Sequence, residues 1–583
     1  MNKNFLFFSP HSSITLHSLP EALLANLTKE IATVTYLQCY GILSSWCTTF
    51  DAFKKNPSKD KLQVCRRCKK SQKMITDSIA VPSMNLEQFI SQRELVEIDK
   101  SISNLSDIDF INFNYQDIPV GSNCYYETIL KWKKSTISFS SNDQKSYYLS
   151  FLRNSCVIVK ALTRILEKNQ YSHLFVYNAL YSDNRTAIQT AKNFGLKVYC
   201  LHAGPNAAHR LSTINLSKEN QLDHEKVILN LWQLHKENPV SKSFVKLIRD
   251  HLSVMFKASF WLQYGRKANR KNNIRKIYDI PYGSPIFLAT LSSNDERFAA
   301  RVIGAGSKVP ENILFETQAD WIKFLVSYFK QLPDRYLVVR IHPRDYPNPR
   351  YPNISDSAKD LLVLSENLPK NVIFNSPDEG LSIYDFATET SVLLNNYSSA
   401  GREFAALGIP VVAFCKDIHT FTTDFCFLGE NEKEYKNAIE NAYQDGWSVE
   451  RVKTVFRWYS LEHFYSTIQL NLSYSFSSRE IRSKYSFQNI INKLFLSIGS
   501  DFIHKIELKD SLLRNTRNNK LIDFLNNDFF SPAEVLENLS SEKEESESIR
   551  DYLNWLLKES FIRNVENSKL YTNIKEYLVF QDD

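Results

Sequence analysis

A chain of 583 residues is too long for one hydrophobic core and is expected to divide into two or three domains. Its 43% hydrophobic, 13% aromatic and 23% charged residues exclude a disordered or fibrous protein, and only 14 glycines argue against a glycine-loop phosphate binder. The net charge of +7 admits an anionic substrate, a nucleic acid or an anionic membrane face and selects none of them.

Asn4 to Phe8 reads as a strand, followed by Ser9-Pro10-His11, a helix over Leu19 to Glu30 and a strand over Ala32 to Cys39, an alternating β/α opening. The alternation returns with a helix over Asn154 to Lys168, a buried strand over His173 to Tyr177, a helix from Ser182-Asp183 to Phe194 closed by Gly195, and a strand over Leu196 to Leu201. Gln221 to Ile280 is helical and increasingly basic, with Arg266, Lys267, Arg270, Lys271, Arg275 and Lys276 close together. This stretch is expected to join two domains, as a solvated linker helix or in contact with anionic lipid head groups. A second alternating domain is expected from the strand at Pro285 to Thr290, through a helix over Ala319 to Gln331, the strand carrying Arg340 and a strand over Val372 to Phe374, to helices from Asn431 to Tyr459. In the last hundred residues strands fade. Ser531 is placed to cap a helix starting at Pro532, and Ser548 to Phe561 reads as another. The segment has the outline of a small winged helix, but the acidic run Glu542 to Glu547 speaks against DNA and for an interaction appendage.

The expected architecture is α/β: two Rossmann-like halves facing a cleft, residues 1–265 and 280–475, with a mainly helical appendage over 480–583. No window approaches the ~18 uncharged apolar residues of a membrane span, and no secretory leader is visible, so a soluble, unexported protein is expected. Nine scattered cysteines fit a reducing compartment, which makes the cytoplasm the expected location.

Candidate site residues gather where strands of the second half end. Arg340, His342 and Arg344 alternate and are expected at one edge, a set that suits a diphosphate or a carboxylated sugar, although a His before Pro is commonly structural. Ser398 and Ser399 open a short helix, where hydroxyls either cap the free amides or share them with a phosphate. Glu403 follows one turn later beside the small residues Ala400 and Gly401, suited to paired sugar hydroxyls or serving only as a helix-dipole partner. Ser292, Ser293 and Glu296 follow another strand and are expected at the same rim; Gln318 and Trp321 either meet a base or belong to the core. In the first half His11, Glu127, Asp183 and His202 stand near strand ends as candidate general bases, against plain roles as helix cap or satisfied loop histidine. Asp183 and His202 are the catalytic candidates carried forward. Cys65 and Cys68 have the spacing of half a zinc knuckle, with Cys39 and Cys47 upstream, but core thiols explain them as well and no metal site is assigned. Asp107-Ile-Asp109 mimics a metal-binding Asp-x-Asp in an acidic stretch where chance suffices.

Taken together, these segments resemble the nucleotide-binding half of GT-B glycosyltransferases, in particular bacterial capsule and surface-polysaccharide biosynthesis proteins. The resemblance rests on Ser292-Ser293-x-x-Glu296, Gln318-x-x-Trp321, Arg340-Ile-His342-Pro343-Arg344, Ser382-x-Tyr384, Tyr397-Ser398-Ser399-x-Gly-x-Glu403 and Gly408-x-Pro410. Ile118-Pro-Val-Gly121, Tyr177-Asn178 and Arg185 add to it in the first half. It implies transfer of a sugar from a nucleotide sugar to a growing surface polysaccharide or lipid-linked glycan. The donor would lie in the second half against His342, Arg344, Ser398, Ser399 and Glu403, and the acceptor in the first. No cofactor beyond the donor substrate and no nucleic acid is implied, and peripheral contact with the inner membrane face is allowed. The pattern is broken where an Arg is expected near Leu180 and a carboxylate near His202. A polyol-phosphate transferase of the teichoic-acid type shares the His-Pro strand and the Tyr-Ser-Ser start, and a non-catalytic partner of a polysaccharide assembly complex would share the fold.

Overall fold

The computed structural model describes residues 3–580 apart from 44, 108, 211, 220, 258–272, 307–312, 349–350, 416–420, 471–517, 529, 531–539, 560, 561 and 563–567. The first sheet contains β1 (Lys3–Phe8), β2 (Ala32–Gln38), β3 (Ser83–Asn85), β4 (His173–Tyr177), β5 (Lys197–Ala203) and β6 (Thr213–Lys218). The second contains β7 (Ile286–Thr290), β8 (Tyr336–Arg340), β9 (Val372–Asn375), β10 (Thr390–Asn395), β11 (Val411–Ala413) and β12 (Cys426–Leu428). A two-residue strand, β13 (Ile468–Gln469), returns to the first sheet, antiparallel to β6.

The sequence dictates this arrangement through short, mostly apolar runs without polar alternation. Phe5 to Phe8, Ile286 to Thr290 and Thr390 to Asn395 are buried throughout, as strands with helices on both faces must be. In β7, Ile286 and Leu288 join one apolar cluster while Phe287 and Ala289 join another on the opposite face. The second sheet runs β12-β11-β10-β7-β8-β9 and is wholly parallel; the first runs β13-β6-β5-β4-β1-β2-β3, parallel from β5 to β3. Each strand order reverses once, between β1 and β4 and between β7 and β10. At such a reversal the crossovers leave in opposite directions, which opens a crevice at the carboxyl ends of the strands. The expected pair of Rossmann-like halves is therefore present.

The halves share one core: a single apolar cluster runs from Phe7 and Trp232 to Phe404, Trp458 and Tyr552. The described helices of the expected appendage pack on both halves. Asp528, after the helix Asn519–Asn527, meets Lys197 and Lys218 of the first sheet at 3.3 and 3.0 Å, and Leu570 donates its amide to the Thr388 carbonyl of the second half. Glu545, in the acidic run, pairs with Arg457 at 2.6 Å, so that charge is spent internally. The Ser531 cap lies outside the described residues, as do Arg266, Lys267, Arg270 and Lys271 of the basic stretch; Arg275 pairs with Glu389 at 2.7 Å.

One buried polar strut also crosses between halves. The Arg344 guanidinium reaches the Asp295 carboxylate at 2.6 Å, Glu296 at 3.2 Å and the Leu130 carbonyl, which belongs to the first half, at 3.2 Å. Lys133, also from the first half and fully buried, donates to the carbonyls of Tyr346 and Asn353 at 2.7 and 2.6 Å. Removing one side of a buried ion pair strands the other charge, so Arg344→Ala is expected to cost about 3 kcal/mol in urea unfolding. A double-mutant cycle with Asp295→Ala checks the pairing: the double variant is expected to lose clearly less than the sum of the singles.

Candidate functional site

At the reversal between β7 and β10 the cleft holds a cavity of about 330 Å3, the lower end of the size range for small-molecule sites. Thr290, Leu291, Arg340, His342, Ser398, Ser399 and Glu403 line it from the second half, and Pro205, Ala207, His251 and Met255 from the first. The three junctions after β7, β8 and β10 thus meet in one space, although Ser292, Ser293 and Glu296, expected at the β7 junction, do not line it.

The junctions are held by their own polar contacts. Asn395 at the end of β10 accepts the Thr290 hydroxyl at 2.9 Å and donates to the Ser398 carbonyl at 3.1 Å. Tyr397 turns the chain in the left-handed region, φ 53°, an uncommon conformation for a non-glycine residue and one that persists where the surroundings impose it. Gly401 is required by close packing: a Cβ there would stand 2.7 Å from the Phe421 ring and 2.9 Å from Asn395 Nδ2. Its smallness therefore serves the packing of the helix start against Phe421 and Asn395.

Arg340 is buried and donates to Asn375 and, at 2.8 Å, to the Leu381 carbonyl, which hold its guanidinium at the cavity wall. His342 accepts the Arg344 amide on Nδ1 at 3.3 Å, and burial together with the cations Arg344, Arg340 and Lys133 pushes its pKa down to about 3. The neutral ring with Nδ1 as acceptor carries its proton on Nε2, as a hydrogen-bond donor. Ser398 Oγ accepts the Ala400 amide at 3.3 Å, the expected capping contact. Ser399 Oγ donates to Glu403 at 3.0 Å and Tyr384 to the other Glu403 oxygen at 2.6 Å, so this carboxylate fixes two hydroxyls at the cavity wall.

Other expected residues stand elsewhere. Arg344 does not join Arg340 and His342: β8 ends at Arg340, and Pro343 opens a 3-10 turn over Pro343–Asp345 that breaks the period-two alternation and sends Arg344 into the strut. Glu296 pairs with Arg344, and Ser293 Oγ contacts Asp295 at 3.4 Å. The Ser292 backbone is clamped by Gln318, which accepts its amide at 2.9 Å and donates to its carbonyl at 3.0 Å. Trp321 is core, with Nε1 donating to Tyr435.

The reversal of the first sheet gathers protonatable groups. His11 follows β1 and Asp183 follows β4; His11 Nε2 lies 3.4 Å from Asp183 Oδ2, both side chains are buried, and neither makes a conventional hydrogen bond. Burial pushes the Asp183 carboxyl up to about 7 and the His11 imidazole down to about 4. Glu127 Oε1 accepts the Ser182 amide and hydroxyl at 2.7 and 2.9 Å, and burial raises its pKa to about 8. Glu21, bonded by Ser9 Oγ at 2.5 Å, is likewise pushed up to about 8 by burial. His202 stacks on Tyr177, with Nδ1 2.9 Å from the Ala203 carbonyl, and burial followed by Arg210 lowers it to about 3. All nine cysteines are free thiols, and among the described residues no three His, Cys, Asp or Glu side chains are grouped to hold a metal.

Sequence reasoning missed His251 and Arg402, both on the cavity wall. His251 accepts the Ala207 amide on Nδ1 at 2.9 Å and packs edge-on against His463, while Arg402 is held by Glu462 at 2.5 Å. Glu462 and His463 lie in a π-helical turn, Leu461–Tyr465, a distortion often found at functional sites. Only that turn, invisible to hydrophobic pattern, brings them behind the cavity.

Two facing α/β halves with a cavity between them decide the architecture. The chain has the GT-B architecture. No protein-family model matches it, and no curated protein does. Solved structures that it resembles include the KpsC β-Kdo 2,4-transferase of Thermosulfurimonas dismutans, at 13% identity and TM-score 0.33 over 52% of this chain and 82% of that one. The UDP-GlcNAc 2-epimerase of Methanocaldococcus jannaschii, bound to UDP-GlcNAc and UDP, matches at 10% identity and TM-score 0.26 over 78% and 98%. The glycosyltransferase SnogD of Streptomyces nogalater matches at 10% and 0.23 over 79% and 96%.

Asp183 keeps its proton to about pH 7 when folded but only to 3.8 when unfolded, so its burial costs stability increasingly as pH rises from about 4 to about 7. Asp183→Asn is therefore expected to raise Tm at pH 8, by the equivalent of at most about 4 kcal/mol, with the gain shrinking toward pH 5. Paired melting curves at the two pH values check the sign.

Proposed function

We propose that the protein is a glycosyltransferase that takes a sugar from a nucleotide-sugar donor held in the second half and passes it to an acceptor hydroxyl presented by the first. The product in this reading is a surface polysaccharide or a lipid-linked glycan. The observation that carries it is the convergence of Arg340, His342, Ser398, Ser399 and Glu403 on one cavity at the switch point of the second sheet.

When the glycosidic bond to phosphate breaks, the electron pair leaves on a phosphate oxygen. Groups fixed where that charge develops stabilise the transition state without reorganising. Arg340 and the Nε2–H of neutral His342 serve this role, with Ser398 and Ser399 as further hydroxyl partners. Glu403 positions Ser399 and Tyr384 and does not itself face the phosphate charge. The acceptor oxygen forms the new bond to the anomeric carbon and gives up its proton to a base. Of the two candidate bases, Asp183 is pushed up by burial to about 7 and His202 is held near 3, which makes His202 the poorer base at neutral pH; neither lines the cavity. The nucleotide sugar is a substrate, and no cofactor is invoked. No described helix is long and apolar enough to cross a membrane. We place the reaction in the cytoplasm, whose reducing conditions suit nine free thiols.

A ligand that binds only the folded state raises its melting temperature, so CMP, UDP, GDP and CDP are to be screened by thermal shift and the best measured by calorimetry. One nucleotide is expected to bind. His342→Ala and Glu403→Gln are each expected to weaken it at least tenfold, ~1.4 kcal/mol, while remaining folded. Unchanged affinity in both contradicts the assignment, and consumption of CDP-glycerol in place of a nucleotide sugar turns the reading to a polyol-phosphate transferase.

A further inference from the structure

The helix Pro57–Ile79 carries charge that the cleft does not use. Asn56 caps it by accepting the Ser58 amide at 2.9 Å, and Val64, Ile75 and Ile79 bury its inner face. On the outer face Lys59, Leu62, Arg66, Lys70 and Lys73 recur at intervals of three and four residues, which aligns them in one exposed stripe. Lys54, Lys61 and Arg67 add three exposed cations beside it. Of the acids nearby, Asp60 is engaged by Lys55 at 3.4 Å and by the Asn56 amide at 3.0 Å, which leaves Asp77 as the exposed carboxylate of the helix. Leu62, amid the cations, is 88% exposed.

We propose that this face docks on an anionic lipid bilayer surface. Lysines and arginines near such a surface are attracted by its negative potential within a Debye length. A soluble polyanion would satisfy the cations equally and gain little from Leu62, whereas the headgroup region takes up an apolar side chain flanked by positive ones. Because the inner face is already packed on the protein, the helix lies against the surface and does not insert. Its place in the fold gives the contact a use. Cys68 Sγ lies 3.9 Å from the Pro10 carbonyl and Lys69 Nζ 4.2 Å over the Tyr40 ring, which ties the helix to the segments after β1 and β2, the same sheet edge that carries His11 and Asp183. A bilayer held there stands beside the acceptor-side rim.

The inference is independent of the reading of the cleft, since it is measured without nucleotide. The full chain is sedimented with vesicles of phosphatidylcholine plus phosphatidylglycerol and with vesicles of phosphatidylcholine alone. Binding is expected to the anionic vesicles only and to fall with added salt. The combined variant Lys59→Glu, Arg66→Glu, Lys73→Glu is expected to lower partition at least tenfold, and Leu62→Ser several-fold, both with native melting temperatures. Wild-type protein left in the supernatant, or charge-reversed protein that partitions as wild type does, overturns the proposal. Leu62→Ser without effect, combined with equal retention on soluble polyphosphate, assigns the patch to a polyanion and also overturns it.

Discussion

Parallel pairing of β7 with β10 sets Thr290 level with Asn395 and leaves both residues at the same edge of the sheet. With β8 on the far side of β7, the chain leaving β7 and the chain leaving β10 must diverge, which opens a crevice between them. Everything assigned to the cavity hangs on that divergence: Arg340 and His342 arrive from the neighbouring β8, and Ser398 and Ser399 from the turn after β10. The first sheet repeats the geometry at β1 and β4, and Asn178, after β4, adopts the left-handed backbone, φ 68°, as Tyr397 does after β10, φ 53°.

The same topology is tuned in opposite senses in the two halves. At the second crevice, burial and neighbouring cations keep His342 neutral beside the fixed charge of Arg340, which gives a rim rich in donors. At the first, burial with few charge partners keeps Glu21, Glu127 and Asp183 able to take protons near neutrality. Desolvation is the first cause at both, and the nature of the neighbours separates an electrophilic rim from a basic one.

The sheets were legible because parallel strands covered on both faces read as unbroken apolar runs, as in Phe5 to Phe8 and Val392 to Leu394. The cavity residues at β8 and β10 were legible because each follows such a run. Legibility stopped where local geometry departs from period two. Pro343 starts a 3-10 turn, so Arg344 points into the strut with Asp295, which the alternation of Arg340, His342 and Arg344 could not reveal. His251 sits on an ordinary amphipathic helix and Glu462 in a π-helical turn, and nothing in their local pattern marks them as neighbours of the site. β13, only two residues long, carries no periodicity and still returns the chain to the first sheet.

The strut of Arg344 and Lys133 and the apolar cluster common to both halves tie the two halves together along one flank of the cavity. The most direct test of the central claim is a crystal structure of the full chain with the tightest-binding nucleoside phosphate. The account predicts its phosphate oxygens within hydrogen-bonding distance of the Arg340 guanidinium and His342 Nε2, between the ends of β7 and β10. A nucleotide seated away from that reversal, leaving both side chains untouched, would contradict it.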